Sequence, residues 1–168
     1  FRNKVDSLFV DLGINFLGDL KGLHYGGYVP YGLLCVASFC EKAGYKTSAL
    51  MMDHSIPEQF GGTEQELDQI TREILEAEIK SGEPKVFGLG MPYTFQYRYM
   101  LRILAMVKEI KPDIITVVGG EHPSVLDKEC MKESPHIDII VRGEGEKPMA
   151  ELLDAITNQK GFENVQGI

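Results

Sequence analysis

Ile114-Ile115-Thr116-Val117-Val118-Gly119-Gly120-Glu121-His122-Pro123-Ser124 is a run of β-branched residues that stops at two glycines and a helix-starting proline. β-Branched side chains fit a pleat covered on both faces, so the run reads as a buried strand of a parallel sheet. The glycines just beyond it strip every Cβ from the edge where open α/β sheets bind ligands. The same ending recurs in Val86-Phe87-Gly88-Leu89-Gly90 and in Ile137-Asp138-Ile139-Ile140-Val141-Arg142-Gly143-Glu144-Gly145. One glycine pair is as readily a tight turn; three, at neighbouring strand ends, describe a slot for a long, flat or branched ligand. A side chain introduced at Gly120 is then expected to block the slot and leave the fold intact.

Working outward, strand and helix patterns alternate along the whole chain, the mark of a doubly wound sheet. The expected fold class is α/β, a Rossmann-like or flavodoxin-like three-layer sandwich with a five-stranded, mostly parallel sheet. Its strands are expected at 5–12, 47–53, 86–90, 114–118 and 137–141. Pro30 opens a first helix whose Leu33, Leu34, Ala37, Cys40 and Ala43 share a face up to Gly44. Thr63 with Glu66 three residues on is a capping box, followed by Leu67, Ile70, Ile74 and Ala77 at helical spacing. Met100, Leu104, Val107 and Ile110 trace a third helix that Lys111-Pro112 ends. A short helix is expected from Pro123 and a last one from Pro148, with residues 164–168 starting a further element. The segment 13–29 is too long to be a mere connection.

With 168 residues, 43% of them hydrophobic, the chain suits one core, and a single domain over 1–168 is the expectation. A net charge of −8, with lysines and arginines dispersed, argues against nucleic acid as a partner. No apolar run is long enough to span a bilayer, and Phe1-Arg2-Asn3-Lys4 is no signal-peptide start, so the expected location is the cytoplasm. Beginning at Phe1 suggests a piece of something longer. Cys35, Cys40 and Cys130 have no metal-ligand spacing and read as small core hydrophobes. The first loop carries neither Gly-x-Gly-x-x-Gly, nor a Gly-Lys-Ser/Thr phosphate loop, nor clustered hydroxyls. Leu89-Gly90-Met91-Pro92 offers no acid to accept a phosphoryl group at the third strand end. Tyr25, Tyr28, Tyr31, Tyr93, Tyr97 and Tyr99 gather near the first and third strand ends, where they suit stacking on a planar ring or rim packing.

Four segments together resemble a known family. They are Pro30-Tyr31-Gly32-Leu33-Leu34 leading to Glu41-Lys42-Ala43-Gly44-Tyr45; Ile110-Lys111-Pro112-Asp113; Gly119-Gly120-Glu121-His122-Pro123; and Val141-Arg142-Gly143-Glu144-Gly145-Glu146 with Glu151-Leu152-Leu153. In this order and spacing they are similar to the cobalamin-binding domains found N-terminal to radical S-adenosylmethionine (radical SAM) domains. The resemblance implies cobalamin held base-off, its nucleotide arm between strand ends and its corrin over the sheet's carboxyl edge. It implies cofactor contacts from Tyr31, Gly90, Met91, Pro92, Thr94, Gly119, Gly120, Glu121, His122, Pro123, Arg142, Gly143, Glu144 and Gly145. Thr94 is expected to stand in for a serine that many such domains carry where this chain has Gly90.

Other roles are bland by expectation. Arg142 is expected to fix its loop through Glu144, Glu146 or a carbonyl, and His122 to pack the loop. Asp53-His54 reads as a solvated turn. His24-Tyr25-Gly26-Gly27 has the spacing of a cobalt-ligating histidine loop in a separate cobalamin family, but Gly22 replaces the orienting aspartate, so no protein metal ligand is expected. Helices starting at Pro123 and Pro148 are expected to aim positive dipole ends at a phosphate. By resemblance the partner is a C-terminal radical SAM domain of the same polypeptide, which would carry S-adenosylmethionine and a 4Fe-4S cluster; the parent enzyme would be methyltransferase- or cyclase-like, this domain alone catalysing nothing. Two alternatives stand beside it: a degenerate interaction module without corrin, and a flavodoxin-like FMN-binding domain.

Overall fold

The computed structural model describes residues 4–13, 29–55 and 62–168, apart from the side chains of Asp53 and His54. Five strands, β1 (Ser7–Asp11), β2 (Thr47–Met51), β3 (Val86–Gly90), β4 (Ile115–Gly119) and β5 (Ile139–Val141), form one sheet in the order β2-β1-β3-β4-β5. Every pairing is parallel. In this doubly wound order the winding reverses between β1 and β3, and the carboxyl ends of those strands flank the crevice where such sheets take ligands.

Between the strands run α1 (Tyr31–Lys42), α2 (Met52–Ser55), α3 (Glu64–Gly82), α4 (Tyr97–Ile110), α5 (Glu121–Val125), α6 (Asp127–Glu133) and α7 (Glu146–Thr157). Strand residues alternate between two layers. Leu8, Val10, Phe87, Leu89, Val118 and Ile140 pack with Leu75 of α3 and Met100, Ile103 and Leu104 of α4. Phe9, Val86, Val117 and Val141 pack with Ala37 and Cys40 of α1 and Met149, Leu152 and Leu153 of α7. The capping box of α3 is present: Glu66 N donates to Thr63 Oγ1 (3.3 Å), and Thr63 N to Glu66 Oε2 (2.7 Å).

The elements depart from their expected bounds in several places. β2 stops at Met51, and Asp53 and His54 belong to the short α2 instead of closing the strand. α3 buries the row Leu67, Thr71, Leu75 and Ile79, while Ala77 is exposed. Cys35 is exposed too; Cys40 and Cys130 are the buried cysteines, and burial pushes the Cys40 thiol up to about 11. α5 and α7 begin two residues before Pro123 and Pro148. No helix among the described residues is long and apolar enough to cross a membrane.

Candidate functional site

Register places the last residues of the central strands side by side. Gly90 pairs with Gly119, and Gly119 with Val141, while Val10 pairs with Leu89, which brings Asp11 level with Gly90. Alternation turns Asp11, Gly90, Gly119 and Val141 toward the α1/α7 layer. Two residues earlier on that face stands Gly88, where a Cβ would come within 2.5 Å of the Phe9 ring. Phe9 therefore fills the sheet surface at Gly88. Above it, at Gly90 and Gly119, the main chain is bare.

A cleft of about 260 Å³ opens there. Its floor is Gly88, Gly90, Val117 and Gly119; Leu33 and Val36 of α1 wall one side, Met149 of α7 the other, and the loops Met91-Pro92, Gly120 and Gly143-Glu144-Gly145-Glu146 make the rim. Gly32 also lines it, with nothing within 4 Å of the position its Cβ would take. At Gly90 an added Cβ would make ordinary contacts, 3.5 Å from Asp11 Oδ2 and 3.7 Å from Leu33 Cδ1. No lysine, arginine, serine or threonine is among the lining residues described.

Eight of the fourteen residues singled out in the sequence converge on this cleft: Gly90, Met91, Pro92, Gly119, Gly120, Gly143, Glu144 and Gly145. The other six lie outside its lining. Tyr31 is 75% exposed on the outer side of α1, in a shallow groove with Leu34, Cys35 and Phe39. Glu121 is exposed, and Pro123 is buried within the first turn of α5. His122 is 8% exposed, its Nδ1 3.0 Å from Thr94 Oγ1 and its ring 4.4 Å from that of Tyr97. That is the loop-packing role expected of it. Thr94 is thereby committed to His122 and does not reach the floor at Gly90.

Arg142 fixes its loop, through a different acid than expected. Its guanidinium reaches Asp127 Oδ2 and the Ile168 carbonyl, both at 3.2 Å, and its backbone N–H donates to the Gly167 carbonyl at 2.8 Å. Glu144 and Glu146 are left to the rim. Ser124 completes the loop structure, donating to the Gly120 carbonyl (2.7 Å) and accepting from Gly143 N (3.0 Å).

Gly120 proves to be a structural glycine as well as a lining one. It adopts φ +109° and ψ −177°, and a Cβ there would lie 2.8 Å from the Met91 carbonyl oxygen. The expectation that a side chain at Gly120 spares the fold is therefore corrected: it would strike backbone that is itself bonded, Met91 N to Gly119 O (2.7 Å) and His122 N to Met91 O (3.3 Å). Of the tyrosines, Tyr99 is core, 4% exposed and bonded to Thr71 Oγ1 at 2.9 Å, with burial pushing its phenol up to about 12. Tyr93 stacks on Phe95. His24, Tyr25 and Tyr28 lie outside the described residues.

Asp11 was not among the residues singled out. It is 6% exposed, lines the cleft, and accepts the Gly13 N–H on Oδ1 at 2.7 Å. An acid closing an otherwise apolar strand was the available signal. Among the described residues no three or more histidine, cysteine, aspartate or glutamate side chains gather as a metal site.

Comparison with known proteins identifies the family. The family model described as B12 binding domain matches residues 24–153. An anaerobic magnesium-protoporphyrin IX monomethyl ester cyclase of Rubrivivax gelatinosus is 49% identical over 131 residues, 78% of this chain and 21% of that protein. The cobalamin-dependent radical SAM methyltransferase TokK of Streptomyces tokunonensis is 32% identical over 71 residues, 42% of this chain and 10% of that protein. The same cyclase from Synechocystis sp. is 35% identical over 75 residues, 45% of this chain and 15% of that protein. The chain thus spans about a fifth or less of these relatives. A five-stranded parallel sheet with a glycine-floored cleft at its carboxyl edge, and a family match over most of its length, make this chain a member of the B12-binding domain family.

Proposed function

We propose that this chain binds cobalamin base-off, with the nucleotide arm in the glycine-floored cleft and the corrin over the carboxyl edge, as the cofactor-holding part of a radical SAM enzyme. The observation that carries the reading is the adjacent pair Gly90 and Gly119, bare main chain between the apolar walls of α1 and α7. At about 260 Å³ the cleft falls just below the usual range of small-molecule pockets, roughly 300–1,000 Å³. That room suits a flat base and its sugar, and leaves the macrocycle outside. Leu33, Val36, Val117 and Met149 would hold the base, and the main chain of residues 143–146 at the rim would meet the phosphodiester.

When bound, the cobalt supplies group-carrying and redox chemistry; this chain's residues bind, orient and exclude water. The apolar walls shield the base, and the loop ties of Arg142, Ser124 and His122 keep the rim in place. Methyl transfer or ring formation, S-adenosylmethionine and an iron–sulfur cluster would belong to a radical SAM domain in the same polypeptide, a reading supported by the names of the relatives. The FMN alternative is weaker. Its terminal phosphate dianion carries a second charge, and no hydroxyl or basic side chain stands in the described lining to meet it.

The test is to mix the purified chain with hydroxocobalamin, desalt it, and record the visible spectrum. Co-migrating base-off cobalamin is expected, unchanged by His24→Ala. Gly32→Trp, which fills the cleft from a helical position with open space beside it, is expected to weaken binding at least tenfold with the melting temperature retained. Wild-type protein that emerges colourless would favour the corrin-free interaction module, and a yellow complex with FMN the flavodoxin-like one.

A further inference from the structure

We propose that residues 165–168 are a releasable strap: they hold the rim loop 143–146 in place, and letting go opens the cleft from its β5 side. β5 is an edge strand, paired with β4 alone. One residue past its end, the Arg142 N–H donates to the Gly167 carbonyl at 2.8 Å, while the guanidinium reaches the Ile168 carbonyl and Asp127 Oδ2, both at 3.2 Å. A Cβ on Gly167 would lie 3.5 Å from both the Arg142 carbonyl oxygen and Pro148 Cγ, so the strap's main chain rests on the two ends of the rim loop at once. Ile168 adds a half-buried contact with the α1/α7 layer.

The two sides of the rim are held differently. On the inner side the Gly143 N–H donates to Ser124 Oγ at 3.0 Å, and Ser124 is itself fixed by its bond to the Gly120 carbonyl at 2.7 Å. On the outer side the hold passes through the strap, whose ties are partly exposed: 48% of the Arg142 side chain and 30% of that of Asp127. Exposed ion pairs hold little, and segments with few buried contacts open first. Between the two sides stands Gly143, at φ +69° with nothing within 4 Å of its Cβ position, the residue with room to turn when the outer side lets go. Arg142 is thus a positioning residue, outside the lining and acting on the cleft through the loop it starts. On the reading above a radical SAM domain shares the polypeptide, and a strap reached from outside the cleft would let contact with that domain set when the cleft opens. The strap itself stands apart from that reading.

The test is amide hydrogen exchange, followed residue by residue by NMR, on the 168-residue chain and on the same chain ending at Glu163. Loss of the strap is expected to speed exchange by about tenfold or more at Gly143 and at Met149, whose N–H donates to the Gly145 carbonyl at 3.0 Å, and to leave Leu8 and Val10 of the interior strand β1 unchanged. Equal exchange at the rim would overturn the proposal. So would an increase shared evenly with β1, the mark of a tail that only stabilises the whole. Arg142→Ala keeps Ile168 and the N–H bond to Gly167; it is expected to give the same pattern at about threefold, and carries the test should the shortened chain fail to fold. Bound hydroxocobalamin is expected to leave the shortened chain about fivefold faster, and equal release would overturn the strap's part in opening the cleft. A full chain that takes up no cobalamin would overturn the corrinoid reading alone, since the exchange pattern decides the strap by itself.

Discussion

At Gly120 the backbone sits where an L-residue is strained and where a Cβ would meet the Met91 carbonyl oxygen at 2.8 Å. Gly120→Ala is accordingly expected to destabilise the chain by about 2–3 kcal/mol, read as a lower urea midpoint with an unchanged slope. A midpoint equal to wild type would show that the Met91 loop yields. The glycines of the slot were legible in the sequence as a set, because strand patterning alone places them at the carboxyl edge. Their division of labour was not. Gly119 and Gly120 are neighbours in sequence, yet one leaves floor uncovered and the other satisfies a turn. Asp11 escaped notice for a related reason: it sits inside a strand expected at 5–12, between Val10 and Leu12, and only register sets it beside Gly90. Tyr31 and Cys35 went the other way. The resemblance makes Tyr31 a cofactor contact and the apolar helical pattern makes Cys35 core, but on a helix a rotation of one residue decides between wall and solvent.

The helix starts show how an element can be recognised and still be misplaced. Proline lacks only an N–H, and the first turn of a helix has no internal acceptor for one, so Pro123 and Pro148 mark a first turn and not a first residue. β5 is shorter than its apolar run because Asp138 replaces a ladder bond with its side chain. Its Oδ2 accepts from Thr116 N (2.7 Å), Thr116 Oγ1 (2.9 Å) and Lys108 Nζ (2.5 Å), tying β5 to β4 and α4. Burial pushes the Asp138 carboxyl up, but Lys108 and Thr116 together outweigh it and hold it below the ordinary range. A depressed native value means stability that is present above the unfolded aspartate's range and lost as pH falls through the native value. Asp138→Asn is expected to lower stability at neutral pH and to flatten its fall in acid, measured as urea midpoints over roughly pH 2 to 6. Glu66, Glu76, Glu83 and Asp154 are depressed as well and are common to both proteins, so the difference isolates Asp138. Parallel curves would remove the tie from the account.

Across the molecule, alternating patterns were enough to anticipate five strands in a doubly wound sheet, and every pairing is parallel. Strand order was not legible, since the apolar runs of β3 and β4 carry no mark of which neighbour each will take. The acidic character that set nucleic acid aside has a second effect at the cleft. With a net charge of −8 and no lysine or arginine in the described lining, no field draws an anion inward. Capture of an overall neutral corrinoid is then governed by diffusion and fit. Its association rate in stopped flow is expected to change less than about twofold between 50 and 500 mM salt, whereas a steered encounter would slow steeply over the same range. A corrinoid taken up without electrostatic help would be held tightly only through slow release, which suits a cofactor loaded once and seldom exchanged.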